Sequence, residues 1–206
     1  MPNDLKVLAF NCTLKSTRDK EKSSTQVLIE QLMDALNEHG AKGDVVRAVD
    51  HNIKPGVQSD EGEGDDWPAL RQRVINADIL IMGTPIWLGQ PSSIAKRVME
   101  RMDAFLGETD DRGRMPSYGK VAIVVVVGNE DGAHHCAAEL IQALTEVGFT
   151  CPPGSVTYWV GEAQGDTVYK ELKTTPKVVA ETTAMLASNA AHLARLLKSN
   201  TYPGIA

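Results

Sequence analysis

The sequence is poor in cysteine and in long apolar runs. Its three cysteines, Cys12, Cys136 and Cys151, show no CxxC spacing, and this usage is typical of a reducing compartment rather than of a disulfide framework or a structural zinc site. The longest apolar run, at 121–127, is far shorter than the roughly 20 residues that span a bilayer. The N-terminus has neither the basic start nor the apolar stretch of a signal peptide. These absences predict a cytoplasmic protein without membrane insertion.

An excess of positive charge is also missing. The chain of 206 residues carries a formal net charge of -6, which argues against nucleic acid or an anionic membrane as the main partner. Its hydrophobic fraction of 42% is ordinary for a globular protein, and its length suits one domain. We therefore predict a single domain over residues 1–206 that needs no disulfide or metal to hold its core.

Five strand-like segments alternate with five helix-like segments along the chain. The strands are predicted at 5–10, 44–49, 79–82 and 121–127, with a fifth between 149 and 160. The segment 121–127 shows no alternation and should be central, whereas the half-polar 44–49 should lie at an edge. Right-handed crossovers then predict an α/β fold with a doubly wound, five-stranded parallel sheet between two helical layers. Ligands of such sheets bind beyond the carboxyl ends of the strands.

Two polar segments lie between these elements. The run SSTQ at 23–26 predicts a capping box, with the Ser23 hydroxyl at the N-cap of the first helix and the Gln26 amide returning to it. Residues 50–66 contain Pro55 and three glycines, and five acids lie between Asp60 and Asp66. We predict that 50–66 is a solvated, mobile acidic surface loop; an acidic docking site is the less favoured alternative.

Polar groups follow the first predicted strand, in NCTLKS at 11–16. The hydroxyls of Thr13, Ser16, Ser24 and Thr25 and the charge of Lys15 would surround the start of the first helix. A helix N-terminus presents free N–H groups and favours anions. The segment therefore predicts a phosphate site, with an ordinary polar loop and helix cap as the alternative.

The segment after the third predicted strand, GTPIWLGQPSS at 83–93, is apolar where a loop should be polar. A rigid loop that exposes Ile86 and Trp87 at a ligand face would form a wall against a flat ring. The alternative is that Trp87 packs between elements of the core.

The segment after the fourth predicted strand is GNEDGAHH at 128–135. Gly128 and Gly132 allow close backbone approach, and the polar residues between them can bond the edge of a heterocycle. His134 and His135 suggest a metal site, but consecutive helical residues point about 100° apart and do not chelate as an i, i+4 pair does. We predict no metal here.

Sequence motifs of other nucleotide-binding folds are absent. No GxGxxG follows the first strand and no GxxxxGK[ST] occurs in the chain, which argues against a dinucleotide fold and a standard P-loop. Asn11 and Gly83 stand where a phospho-acceptor receiver domain would have acids. A mononucleotide pocket remains.

The segments NCTLKS with SST, TPIWLGQPSS and GNEDGAH resemble those of the flavodoxin-like NAD(P)H-dependent FMN reductases and oxidoreductases, over about residues 5–198. The resemblance implies a flavodoxin-like fold, FMN as cofactor and NAD(P)H as co-substrate. In the first loop, Cys12 stands where the family has glycine, and residues 18–22 are inserted. The implied phosphate contacts are Thr13, Lys15, Ser24 and Thr25, and the implied flavin-ring contacts are Pro85, Ile86, Trp87, Leu88, Gly128, Asn129 and Gly132.

The function that this resemblance implies is hydride transfer from NAD(P)H through FMN to a quinone, a flavin or another small acceptor. Because the flavin carries that chemistry, no side chain has to act as nucleophile or base, and the sequence assigns no catalytic residue. The alternatives are a one-electron flavodoxin-type carrier and a flavin-free binding protein of the same fold. The segments 83–93 and 128–135 supply no second aromatic residue to close a sandwich over the flavin, which favours the enzyme.

The apolar groups at 83–93 also predict an assembly. Exposed apolar patches usually mark interfaces, so we expect a homodimer or a higher homo-oligomer. Trp159 is a candidate to cover a neighbour's flavin, with core packing as the favoured alternative.

Overall fold

The computed structural model describes residues 4–163 and 165–205, and the strands in this part of the chain form one mainly parallel sheet. Along the sheet the order is β2-β1-β3-β5-β6, and the short β4 pairs with β3 in antiparallel fashion. This confirms the predicted doubly wound sheet of five parallel strands. The strands are β1 (Leu5–Asn11), β2 (Ala41–Arg47), β3 (Ile79–Trp87), β4 (Gln90–Pro91), β5 (Val121–Gly128) and β6 (Val156–Val160).

Helices cover both faces of the sheet. Buried side chains of α1 and α5 pack on one face, and those of α2, α3 and α4 pack on the other, so two separate cores lie on either side of the strands. The three-layer arrangement is therefore as predicted. The helices are α1 (Ser24–Glu38), α2 (Trp67–Asn76), α3 (Ser93–Met102), α4 (Ala133–Glu146) and α5 (Lys177–Ser199). No helix within the described residues is both long and apolar enough to span a membrane.

The predicted positions of the strands within the sheet, central or at an edge, are confirmed, but some of the predicted residue ranges are wrong. Strand β5 is buried on both faces and lies between β3 and β6, as its unbroken apolar run predicts. Strand β2 lies at an edge, but it covers 41–47 instead of 44–49. It pairs with β1 from Leu5↔Ala41 onward. The ladder with β1 therefore extends β2 toward its start, through residues whose polarity alone suggests a loop.

The largest correction concerns residues 83–93, which were predicted as a loop. Residues 83–87 continue β3, because the parallel ladder with β5 runs on to Pro85↔Val127. Trp87 then pairs with Gln90, so Leu88 and Gly89 form a two-residue turn, both at positive φ (54° and 73°). Such a turn matches the twist of a hairpin. The apolar segment is therefore a rigid hairpin.

The N-cap of α1 is also only partly as predicted. The Ser23 hydroxyl accepts a hydrogen bond from the N–H of Gln26 at 3.0 Å, as a cap should. The Gln26 amide oxygen accepts instead from the Asn11 side chain at 2.7 Å, which also donates to the Ser23 hydroxyl at 3.2 Å. The end of β1 thus competes with the cap for Gln26 and ties β1 to the start of α1.

The segment 50–66 is not the purely solvated loop that its composition predicts. The Arg101 guanidinium of α3 donates to the carbonyl oxygens of Lys54 and Gln58 and to the Asp65 carboxylate at 2.7 Å. Both charged side chains of this ion pair are fully buried. Burial alone would raise the pKa of Asp65, but Arg101 and three backbone N–H groups hold that pKa well below its usual range. The loop is therefore fixed from inside by a buried cation.

Candidate flavin site

A cleft opens at the carboxyl ends of β1, β3 and β5, where the strand order reverses. This is the position at which doubly wound sheets bind ligands. It collects predicted residues from all three segments: Thr13, Lys15, Ser24, Thr25, Pro85, Ile86, Trp87, Gly128 and Asn129. Leu14, Ser23, Val127, Trp159, Val168 and Tyr169 also line it. Leu88 and Gly132 are not among the lining residues.

One end of the cleft is polar and is built around the start of α1. Ser24 and Thr25 are the first two helical residues, and the earliest N–H groups of a helix have no partner inside it. The Ser24 hydroxyl accepts from the backbone N–H of Lys170 at 3.3 Å. Thr25 and Thr13 are both buried at this end. The arrangement offers hydroxyls and helix N–H groups to an anion.

Asn11 organises this end, and the sequence did not single it out for that role. It is buried at the end of β1, and its side-chain oxygen accepts from the N–H of Thr13 at 3.1 Å. Through its bonds to Ser23 and Gln26 it also holds the helix cap. Ser16, by contrast, points away from the cleft, because its hydroxyl donates to Asp50 at 2.6 Å.

Lys15 reaches the cleft but its charge is shared. Its ammonium nitrogen lies 2.5 Å from a carboxylate oxygen of Glu21, and the ammonium of Lys170 lies 2.6 Å from the same oxygen. Hydrogen bonds from the two lysines lower the pKa of Glu21 to about 2. Lys170 lies in the 3-10 turn Tyr169–Glu171, far from Lys15 in sequence. The inserted part of the first loop therefore supplies an anion, and a distant segment supplies a second cation.

The other end of the cleft is apolar. Ile86 is buried, whereas Trp87 is 51% exposed and stands at the rim. A Cβ added at Gly128 would lie 2.8 Å from the Ile86 side chain. Gly128 is thus needed where β5 passes the hairpin. The wall predicted from TPIW is present, with Trp87 at its open edge.

Leu88 and Gly132 lie where the hairpin packs against the segment between β5 and α4. Leu88 is 91% exposed at the turn, and its N–H donates to the Glu130 carboxylate at 3.1 Å. A Cβ added at Gly132, which has φ 126°, would lie 2.7 Å from the Gly89 Cα. Leu88 thus lies at the tip of the hairpin and Gly132 at the N-cap of α4, beside the cleft. That they contact the flavin ring, as the family resemblance implies, stays a prediction.

Two aromatic side chains that neither loop contains also line the cleft. Trp159, near the end of β6, and Tyr169 have ring centroids 5.4 Å apart and an interplanar angle of 49°. Tyr169 is buried, and its hydroxyl donates to Gln31 at 2.6 Å. Both rings pack against the core on the α1 and α5 face, as expected for Trp159. The position of Trp159 near a strand end was the only sequence signal that it could reach the cleft. Tyr169 lies outside the predicted strands and helices, so no such sequence signal existed for it.

Asn129 lines the cleft while tying the β6–α5 connection in place. Its side-chain amide donates to the carbonyl oxygen of Gly165 at 2.8 Å. The two histidines nearby diverge, since the His134 ring contacts the Tyr158 hydroxyl and the His135 ring contacts Gln90, each at 3.1 Å. Among the residues that the structure describes, no group of three or more His, Cys, Asp and Glu side chains could hold a metal ion.

Comparison with known proteins decides the family. The family model described as NADPH-dependent FMN reductase matches residues 5–164. The chain belongs to this family. The match includes β1, the hairpin and the start of α4, and it ends before Tyr169 and Lys170.

Two relatives and one solved structure show the range of similarity of this FMN reductase family member. A divalent metal cation transporter MntH of Mycobacterium bovis is 43% identical over 163 residues, which are 77% of this chain but only 24% of the transporter. An 8-demethyl-8-aminoriboflavin-5'-phosphate synthase of Streptomyces davaonensis is 34% identical over 212 residues, or 96% of this chain and 80% of the synthase. A crystal structure of RosB with bound 8-demethyl-8-formylriboflavin-5'-phosphate superposes with a TM-score of 0.87 at 32% identity, covering 97% of this chain and 82% of RosB.

The residues of the cleft fit FMN, the cofactor of the family. FMN has a phosphate at one end and a flat, mostly apolar ring system at the other. The polar end joins a helix N-terminus to two lysines that already hold a carboxylate, so its donors suit an anion. The apolar end offers Ile86, Trp87 and Trp159 to a ring. Thr13, Lys15, Ser24 and Thr25 remain the predicted phosphate contacts. The predicted ring contacts remain Pro85, Ile86, Trp87, Leu88, Gly128, Asn129 and Gly132.

Proposed function

We propose that this oxidoreductase passes a hydride from NADPH or NADH, through bound FMN, to a quinone, a flavin or another small acceptor. The observation that carries the proposal is the division of one cleft into an anion-binding end and an apolar end, in a member of the FMN reductase family.

The chain contributes binding and orientation to this reaction. FMN, when bound, supplies the hydride chemistry. The start of α1 binds one end of the ligand. The hairpin holds Ile86 and Trp87 as a rigid wall, because its turn packs against Gly132 and donates a hydrogen bond to Glu130 in the segment before α4. Trp87 is half-exposed, which leaves room at the rim for a second flat molecule. No side chain is assigned to move a proton.

A reduction experiment tests this proposal. Protein reconstituted with FMN is mixed anaerobically with NADPH or NADH, and the flavin absorbance is followed. We expect the absorbance to bleach in one two-electron step and turnover to begin when a quinone is added. If neither nucleotide reduces the flavin within minutes, while dithionite produces a strong one-electron absorption band, the protein is a flavodoxin-type carrier. The dithionite titration is needed because the lack of a second aromatic residue in the two loops was the argument for the enzyme. Trp159 and Tyr169 supply aromatic side chains to the cleft from elsewhere in the chain.

A second function is favoured by one specific similarity. The Streptomyces synthase, 34% identical over nearly the whole chain, is named for a product that is itself a modified riboflavin phosphate. By this analogy FMN is the substrate and is altered on its ring. Mass spectrometry of the flavin recovered after aerobic incubation with FMN and an amino donor, such as an amino acid, separates the two functions. An unchanged FMN mass supports the reductase, and a changed mass supports ring modification.

We also propose that the chain acts as one cytoplasmic domain and assembles as a homodimer or larger oligomer. Support for assembly comes from exposed apolar side chains around the cleft, namely Leu14, Trp87 and Leu88. Light scattering at micromolar concentration is the test. A mass of one chain would rule the assembly out.

A further inference from the structure

Two lysines from distant parts of the chain share one carboxylate. Lys15 lies in the loop after β1 and Lys170 in the turn before α5, yet both ammonium groups lie within 2.6 Å of the same Glu21 oxygen. The Lys170 side chain is 20% exposed, whereas those of Lys15 and Glu21 are 42% and 46% exposed. The less exposed lysine is the one that lies beyond the family match.

This ion cluster borders the polar end of the cleft. Glu21 precedes the N-cap Ser23 by two residues, and Lys15 and Tyr169 both line the cleft. The backbone N–H of Lys170 donates to the Ser24 hydroxyl in the first turn of α1. Two ammonium groups and the positive end of a helix dipole therefore converge, with Glu21 as the carboxylate between them.

A phosphate monoester is a stronger partner for two ammonium groups than a carboxylate. It carries a charge of about -1.5 to -2 near neutral pH and has three acceptor oxygens. An exposed carboxylate, in turn, is held weakly by its ion pairs, because water solvates it well when it leaves. Glu21 and an incoming phosphate also repel each other. Competition for the two lysines therefore favours the phosphate.

We propose that Lys170 is the second cation for the 5'-phosphate of FMN, and that Glu21 is an internal anion which the phosphate displaces from Lys15 and Lys170. The proposal rests on FMN as the cofactor. Glu21 keeps the two lysines together in the protein without flavin and lowers the affinity for flavin phosphates. It has no such effect on riboflavin, which lacks the phosphate.

The test compares FMN with riboflavin in matched variants. Affinities are measured for the apoprotein by quenching of flavin fluorescence, so the readout does not depend on turnover. Glu21→Gln removes the internal anion. Its charge-matched control is Glu30→Gln, which breaks the exposed pair between Lys22 and Glu30 of α1. Lys170→Met is matched by Lys173→Met, a nearby exposed lysine. Circular dichroism melts check that each variant folds.

The expected results have opposite signs. Glu21→Gln should tighten FMN binding about two- to fivefold, the size of a surface ion pair, and leave riboflavin unchanged. Lys170→Met should weaken FMN binding about tenfold, as for a lost charge-assisted bond, again without effect on riboflavin. Both controls should leave FMN affinity as in the wild type. Unchanged or weaker FMN binding in Glu21→Gln, or equal losses of FMN and riboflavin in Lys170→Met, would overturn the proposal. Wild-type protein that binds riboflavin but not FMN would refute the cofactor assignment itself.

Discussion

Two charged loops, residues 12–22 after β1 and residues 50–66 after β2, are held in opposite ways. Loop 50–66 closes over a guanidinium, and the Arg101–Asp65 pair inside it is fully buried. Loop 12–22 is held by ion pairs whose side chains remain partly exposed, with Glu21 in the middle. The difference lies in burial, because both loops are rich in charged residues.

This difference indicates a division of labour. A buried pair is costly to break, since the remaining charge has no water to solvate it. Exposed pairs exchange partners at little cost. Loop 50–66 is therefore suited to stabilise the fold. Loop 12–22 borders the polar end of the cleft, and its lysines are suited to exchange Glu21 for a charged ligand.

The largest effect is expected from breaking the buried pair. Arg101→Met leaves the Asp65 carboxylate buried without its cation and should lower the free energy of unfolding by about 3–5 kcal/mol. Urea denaturation followed by circular dichroism measures this. The double variant Arg101→Met/Asp65→Asn should recover part of the loss. The substitution to Asn removes the unpaired buried charge, and its amide oxygen can still accept the hydrogen bond from the N–H of Trp67. A loss below about 1 kcal/mol would contradict the prediction, because it would mean that this pair contributes no more to stability than a surface ion pair.

A second prediction concerns acid. The pKa of Asp65 is lowered in the folded protein, so this carboxylate contributes stability above its unfolded pKa of about 3.9, and the contribution is lost as the pH falls further. The wild type should therefore lose stability steeply below about pH 4. Asp65→Asn should be less stable at neutral pH and show a shallower loss over the same range. Urea midpoints at several pH values provide the measurement, and parallel curves would contradict the prediction.

A third prediction tests the polar end of the cleft. Ser24→Ala/Thr25→Ala removes two hydroxyls next to the first turn of α1. Each hydrogen bond to a charged phosphate contributes about 1–2 kcal/mol, so FMN affinity should drop at least tenfold and riboflavin affinity should change little. Val178→Ala, at an exposed residue early in α5, serves as a control. Equal losses for both flavins would mean that the phosphate binds elsewhere.

How far the sequence predicts this site depends on how local its residues are. The polar end could be predicted because Thr13 to Thr25 are close in sequence, in the loop after β1 and the first turn of α1. The sequence SSTQ indicates where that helix begins. Trp159 and Tyr169 reach the same cleft, and Lys170 its border, only because β6 and the segment after it lie beside β5 and the start of α1. No local pattern brings together residues so far apart in the chain.

The fold shows the same limit. Alternating strand and helix patterns predict the sheet and its two covered faces. The hairpin at 83–93 was missed because its glycines and prolines resemble a loop, while the ladder to β5 that extends β3 is a tertiary contact. Arg101 was missed because a single cation near an apolar helix face is normally solvated, and its partner Asp65 lies in a loop that composition alone assigns to the surface.

The smallest effect on stability, and the sharpest contrast with Arg101, is expected at Lys15. Its side chain is 42% exposed, and Glu21 keeps Lys170 as a partner when Lys15 is changed. Lys15→Gln should therefore shift the melting temperature by no more than about 1 °C, because exposed pairs contribute little and one of the two remains. The same variant should weaken FMN binding several-fold while riboflavin binding stays unchanged, because the lost charge lies beside the phosphate end. Thermal melts and flavin titrations on one preparation measure both effects. A melting temperature that falls as far as in Arg101→Met would show that loop 12–22 also supports the fold, and the contrast between the two loops would then fail.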